Sequence, residues 1–184
     1  AAAVLTTAGG SVDFASTIDG AQNFDISSGA GAVNITGTIG GDVALATLDI
    51  NDSSGAGTIS LKDIGDSNTQ GVTGASKIGN NTTATLTLGG NTYKTDTATY
   101  TTKAGENIDL TGGADTTFTT SNDGITFGTG TIEMADGSNL IVDTGTSGGA
   151  IDLTAGVMGT SSENITLTAG TGTVAIGAVG TGTE

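Results

Sequence analysis

Histidine, cysteine, proline, tryptophan and arginine do not occur in this 184-residue chain, and aromatic residues make up only 3% of it. Without histidine or cysteine there is no ordinary zinc, copper or haem site and no Ser-His or Cys-His nucleophile pair. Without arginine there is no bidentate clamp for phosphate or carboxylate. Positive charge is scarce: four lysines against 19 acids give a net charge of -15 and a pI near 4.1. A nucleic-acid partner, which needs a basic footprint, is excluded on that ground, and so is an anionic membrane surface. No apolar run approaches the roughly 20 residues needed to cross a bilayer, so membrane insertion is not expected. The absence of cysteine is compatible with an extracellular protein that does not rely on disulfides. The chain begins at Ala1 rather than methionine, which reads as a processed protein or an excised segment.

What is present is small and β-forming. Glycine (33 residues) and threonine dominate, and charged residues are only 12%, too few for the usual signature of disorder. A triplet with apolar residues at i and i+2, the mark of a half-buried strand, recurs along the chain. It appears as Val12-Asp13-Phe14, Phe24-Asp25-Ile26, Val33-Asn34-Ile35, Leu48-Asp49-Ile50, Ile59-Ser60-Leu61 and Leu86-Thr87-Leu88. It returns as Ile108-Asp109-Leu110, Ile125-Thr126-Phe127, Ile132-Glu133-Met134, Leu140-Ile141-Val142, Ile151-Asp152-Leu153, Ile165-Thr166-Leu167 and Val174-Ala175-Ile176. Glycine-rich punctuation separates the triplets and no stretch carries a 3.6-residue apolar period, so the chain is expected to be all-β without helix.

A longer unit also repeats. Phe24–Ile35 reads FDISSGAGAVNI and Ile165–Ile176 reads ITLTAGTGTVAI, while Leu48–Leu61 and Leu140–Leu153 are the same idea with a longer loop. Strand, small-residue turn and strand in repetition point to a solenoid or array, and also suit hairpins of a sandwich. Small, β-branched side chains that suit a narrow coil interior, and an outward triplet residue that is repeatedly Asp, Asn, Ser or Thr, favour the solenoid. The expected fold is therefore a parallel β-helix of roughly 6 to 9 coils, about 4.8 Å each, with an Ig-like β-sandwich as the alternative. The stretch GAVGTGTE followed by the N-terminal AAAVLTT approximates an internal continuation, so the chain reads as one period of something that continues. Residues 1–61 and 104–184 read as solenoid coils, with charges of -6 and -10. Residues 62–103 hold all four lysines and both tyrosines, carry +1, and read as an excursion followed by a hairpin from Thr83–Leu88 and Thr92–Thr101.

Candidate sites are few. Asp13, Asp25, Asp49, Asp109, Glu133 and Asp152 are expected to point outward and could stack on one face. Bound calcium would relieve their repulsion, but outward acids also simply keep a sheet soluble and its edges apart. No carboxylate pair is marked out by apolar or aromatic neighbours as glycosidase chemistry would need, so no catalytic residue and no cofactor is expected, and metal binding stays open. Tyr93, Lys94, Tyr100 and Lys103 are either a surface contact patch or the cross-strand packing of a hairpin. The assembly candidates are the strand-like Ala1, Ala2, Ala3, Val4, Leu5, Thr6 and Thr7 with Val179 and Glu184 at the other end, because a solenoid with bare end coils invites head-to-tail contact.

The stretches GSVDFASTIDGAQNFDI, GAGAVNITGTIGGDVALATLDI, DTTFTTSNDGITFGTGTIEM and ENITLTAGTGTVAIGAVG resemble the glycine- and threonine-rich repeats of giant bacterial surface and secreted proteins, including filamentous-haemagglutinin-type adhesins. The resemblance covers about two-thirds of the chain. It implies a β-solenoid stalk exported to the bacterial cell surface, serving adhesion or matrix, with no catalytic residue. The partners expected are copies of itself or neighbouring repeats of a longer chain. The sandwich alternative would instead be an adhesin module binding surface glycans or a host protein, and a polysaccharide-processing β-helix enzyme comes third.

Overall fold

A computed structural model describes residues 1–181, and these coil into an all-β solenoid of about seven turns with three faces and no helix. The first face stacks β1 (Ala3–Thr6), β3 (Asn23–Ser27), β5 (Thr47–Ile50), β7 (Ala75–Ile78), β10 (Thr97–Tyr100), β13 (Ile125–Phe127), β16 (Ile151–Leu153) and β19 (Val174–Ile176). The second stacks β2 (Val12–Phe14), β4 (Val33–Ile35), β6 (Ile59–Leu61), β8 (Leu86–Leu88), β11 (Asn107–Leu110), β14 (Thr131–Met134), β17 (Val157–Gly159) and β20 (Val179–Thr181). The third holds β9 (Thr92–Thr95), β12 (Thr116–Thr120), β15 (Leu140–Asp143) and β18 (Ile165–Thr168). Below β9 this face continues as single parallel bridges linking Ile18, Ile39, Ile64 and Tyr93. Seven steps between eight rungs give a body roughly 34 Å long.

Every strand pairing among the described residues is parallel, with register partners 21 to 28 residues apart. An Ig-like sandwich needs antiparallel hairpins and is not what forms. The reason lies in the triplets. Each places two apolar side chains inside and one residue outside, as in the buried–half-buried–buried pattern of Val33–Ile35 and Ile59–Leu61. Stacking such triplets in parallel register builds unbroken interior columns. One runs Leu5, Ile26, Ile50, Ile78, Tyr100, Phe127, Leu153 and Ile176. A rung alone buries little, so stability comes from its neighbours above and below.

The segment 62–103 does not leave the coil. Ile64, Val72 and Ile78, isolated apolar residues in a polar stretch, are fully buried. The expected hairpin does not form: β8 lies on the second face between β6 and β11, and β9 lies on the third beside β12. Gly89-Gly90-Asn91 turns the chain around a corner instead of reversing it.

The long sequence repeat is displaced by one face. Phe24–Ile35 runs from first face to second, whereas Ile165–Ile176 runs from third face to first. Leu48–Leu61 and Leu140–Leu153 are related in the same way. The unit that repeats is thus a corner, usable at more than one vertex. Its glycines show why. Gly29 and the equivalent Gly170 have φ of +64° and +54°, a conformation glycine adopts without strain. A Cβ on Gly31 would stand 2.3 Å from the Gly10 carbonyl oxygen, and one on the equivalent Gly172 would stand 2.3 Å from that of Gly149.

Candidate functional site

The two ends of the coil are where the fold leaves most undone. At the first, Ala3–Thr6 pair with β3 along one edge, and the other edge is open among the described residues. The Ala1 ammonium donates to Gln22 Oε1 at 2.9 Å, and the Thr7 hydroxyl donates to the Gly10 carbonyl at 2.6 Å. Ala2 and Ala3 are exposed. Val4 points outward and is 63% exposed, while Leu5 heads the interior column and is only half covered. Phe14, Ile18 and Phe24 complete this apolar end, with Phe14 and Phe24 edge to face at 5.7 Å.

At the other end Val174, Ile176 and Val179 are exposed although each lies in an inward register, on Ile151, Leu153 and Val157. β18, β19 and β20 present outer edges with no strand on them among the described residues. Open edges of this kind are templates for further strand pairing. Residues Ala1 to Thr7 and Val179 therefore lie on the open ends; Glu184 lies outside the described residues.

The outward acids do not share one face. Asp25, Asp49 and Asp152 stand on the first and Asp13, Asp109 and Glu133 on the second. Two pairs are direct neighbours across rungs, Asp25 with Asp49 and Asp109 with Glu133. Burial, with Asp52 nearby, raises the Asp49 carboxyl above its ordinary value, against the pull of Lys77. Burial and then Glu133 raise Asp109. Asn107 answers part of that charge by donating its side-chain amide to Glu133, and Asn34 donates to Asp13 at 2.7 Å. Asp109, Glu133, Asn107 and Met134 line a shallow groove on the second face. Among the described residues no three acids come close enough to hold a metal ion.

Tyr93 and Tyr100 do not form a surface patch. Alternation in Thr92–Thr95 and Thr97–Tyr100 turns both rings inward, leaving them 1% and 0% exposed. Tyr93 stacks on Phe118 with centroids 4.8 Å apart, and Tyr100 stacks on Phe127 at 5.3 Å. Lys94 is half-buried and donates to the Ser67 carbonyl at 3.0 Å; Lys103 is exposed. The four aromatic rings form an interior cluster that the spacing of single residues did not announce. Comparison with protein-family models, curated proteins and solved structures returned no match, so the functional reading rests on the chain's own geometry.

Proposed function

We propose that this chain is a structural unit of an extracellular bacterial surface fibre or adhesin stalk. Its axis would be continued head to tail by copies of itself or by neighbouring repeats of a longer chain. The observation that carries this reading is the pair of open apolar ends, where inward-facing Val174, Ile176 and Val179 meet solvent at one end and Leu5, Phe14 and Ile18 are only partly covered at the other. A parallel stack has a direction, so one end complements the other and not itself, and contacts of this kind propagate without closing. Acidic flanks oppose side-by-side aggregation, while the near-neutral belt of Lys62–Lys103 gives a neighbour's flank a salt-sensitive place to rest.

Sedimentation and electron microscopy of the purified chain at rising concentration test the reading. Linear assemblies are expected, and deletion of residues 1–7 is expected to abolish them while most of the β signal survives. A truncated chain that assembles as well as the intact one, or an intact chain that stays monomeric at high concentration, would overturn it.

A further inference from the structure

We propose that a second copy stacks on the C-terminal end turned by one face, so that its β1 completes the third face above β18. This rests on the axial continuation proposed above and specifies how the joint is made. Among the described residues the first and second faces hold eight strands each. The third has only seven rungs, marked by one inward column of Ile18, Ile39, Ile64, Tyr93, Phe118, Val142 and Leu167. The C-terminal end is therefore a step, with β18 one rung below β19 and β20. A copy seated squarely, β1 over β19, would leave that rung of the third face empty and Leu167 uncovered. Turned by one face, β1 fills the missing rung, β2 lies on β19, and Ile18 lies over Val179.

The side chains agree with the turned arrangement. Inside the joint, Ile165 and Leu167 meet Ala3 and Leu5, Val174 and Ile176 meet Val12 and Phe14, and Val179 meets Ile18. Each is an inward position by its register in its own copy. Outside, Thr166 lies beside Val4 and Ala175 beside Asp13, so no acid faces an acid in a chain of net charge -15. The spacing between faces points the same way. From second-face to third-face inward position the chain uses eight residues in its last three complete coils: Ile108 to Thr116, Ile132 to Leu140 and Val157 to Ile165. Eight residues also separate Val179 from Ala3 of a copy joined directly behind it. The next first-face inward position never lies closer than 12 residues, as from Val12 to Phe24 or Leu86 to Ala98. The one-face displacement of the corner repeat shows that such corners already work at different vertices.

The chain has no cysteine, so introduced pairs report without background. Neighbouring strands place Cα atoms about 4.8 Å apart, inside the range a disulfide spans. Val4→Cys combined with Thr166→Cys is compared with Val4→Cys combined with Ala175→Cys, both at exposed outward positions. Each is oxidised in the free chain and in two copies joined without a linker. The first pair is expected to give a ladder of disulfide-linked oligomers, and to link the tandem internally, with at least tenfold more product than the second. Linking by the second pair alone would overturn the turned joint and leave axial continuation standing. Linear assemblies in which neither pair links would also overturn the turned joint. No linking together with a monomeric sedimentation profile would remove axial continuation and this proposal with it.

Discussion

Asn51 and Ser28 hold two successive coils together at the first corner through a reciprocal pair of hydrogen bonds. The Ser28 backbone N–H donates to Asn51 Oδ1 at 2.8 Å, and the Asn51 side-chain amide donates to Ser28 Oγ at 2.9 Å. Both residues are buried, and Asn51 sits at φ 50°, a region asparagine tolerates better than most residues. Asn51→Ala leaves the Ser28 N–H without its acceptor and keeps the unfavourable dihedral. A loss of about 2–3 kcal/mol is expected from denaturant unfolding, in line with an orphaned buried group. An unchanged midpoint would show that the corner is held by the backbone ladder alone.

The interior aromatic cluster makes a contrast between its two tyrosines. Tyr93 Oη accepts from the Gly90 backbone N–H at 3.0 Å, whereas the buried Tyr100 hydroxyl has no partner among the described residues. Tyr100→Phe removes an unsatisfied polar atom and should be neutral or stabilising. Tyr93→Phe orphans a buried N–H and should cost about 1–3 kcal/mol. Phe118 touches three of the other rings, so Phe118→Ala should cost about 3–5 kcal/mol. Equal effects of the two tyrosine changes on the thermal midpoint would contradict this account.

Close approach between coils sets the glycine requirement. At Gly57 an added Cβ would stand 2.0 Å from the Gly31 carbonyl oxygen, and at Gly149 one would stand 2.1 Å from that of Asp123. Both neighbours are backbone and cannot swing aside. Gly57→Ala and Gly149→Ala should each destabilise the chain by at least about 1–3 kcal/mol, the usual range for overpacking. Thr146→Ala, at an exposed position in the same turn as Gly149, serves as control and should change little. Silent glycine changes would mean that the coils separate more easily than their spacing suggests.

Much of this fold was legible because its signal is local. All thirteen apolar triplets lie within strands, since two inward residues and one outward residue suffice to write a rung. The third face was harder to read below β9: it is made there by single inward residues such as Ile39 and Ile64, which have no period of their own. Thr83–Leu88 and Thr92–Thr101 looked like a hairpin because a glycine-rich turn between strands has the same composition whether it reverses the chain or rounds a corner. Which face a triplet occupies depends on corner lengths summed along the coil. The split of the outward acids between two faces, and the step at the C-terminal end, were therefore beyond local pattern.

Divalent cations are not expected to hold the coil together. Calcium needs six to eight oxygen ligands around one point, whereas the outward acids are divided between faces, and Asp13, Glu133 and Asp152 already accept hydrogen bonds from Asn34, Asn107 and the Thr154 backbone. Thermal melts with and without a strong chelator should superimpose. A large fall of the midpoint in chelator would promote Asp25 with Asp49, or Asp109 with Glu133, to ligands.

Acidity should act on stability in two opposite stages. Burial raises the Asp49 and Asp109 carboxyls above their ordinary value. The folded chain therefore takes up their protons before the unfolded chain does, and stability rises as pH falls from neutrality toward about 4. Relief of self-repulsion in a chain of net charge -15 works in the same direction. Asp19, Asp66 and Glu163 behave oppositely. Backbone N–H groups of Val43, Thr69 and Ser161 respectively hold their carboxyls low, Glu163 at about 2. Their contribution is present above the ordinary carboxylate range and is lost as pH falls through their own lowered values. The melting midpoint should thus climb from pH 7 to a maximum near the upper edge of carboxylate titration and then fall. Asp109→Asn should raise the midpoint at pH 7 and flatten the climb, because the buried charge is gone at every pH. A midpoint that falls steadily from pH 7, or a climb that Asp109→Asn and Asp49→Asn together leave untouched, would show that these acids are solvated well enough to titrate as they do in the unfolded chain.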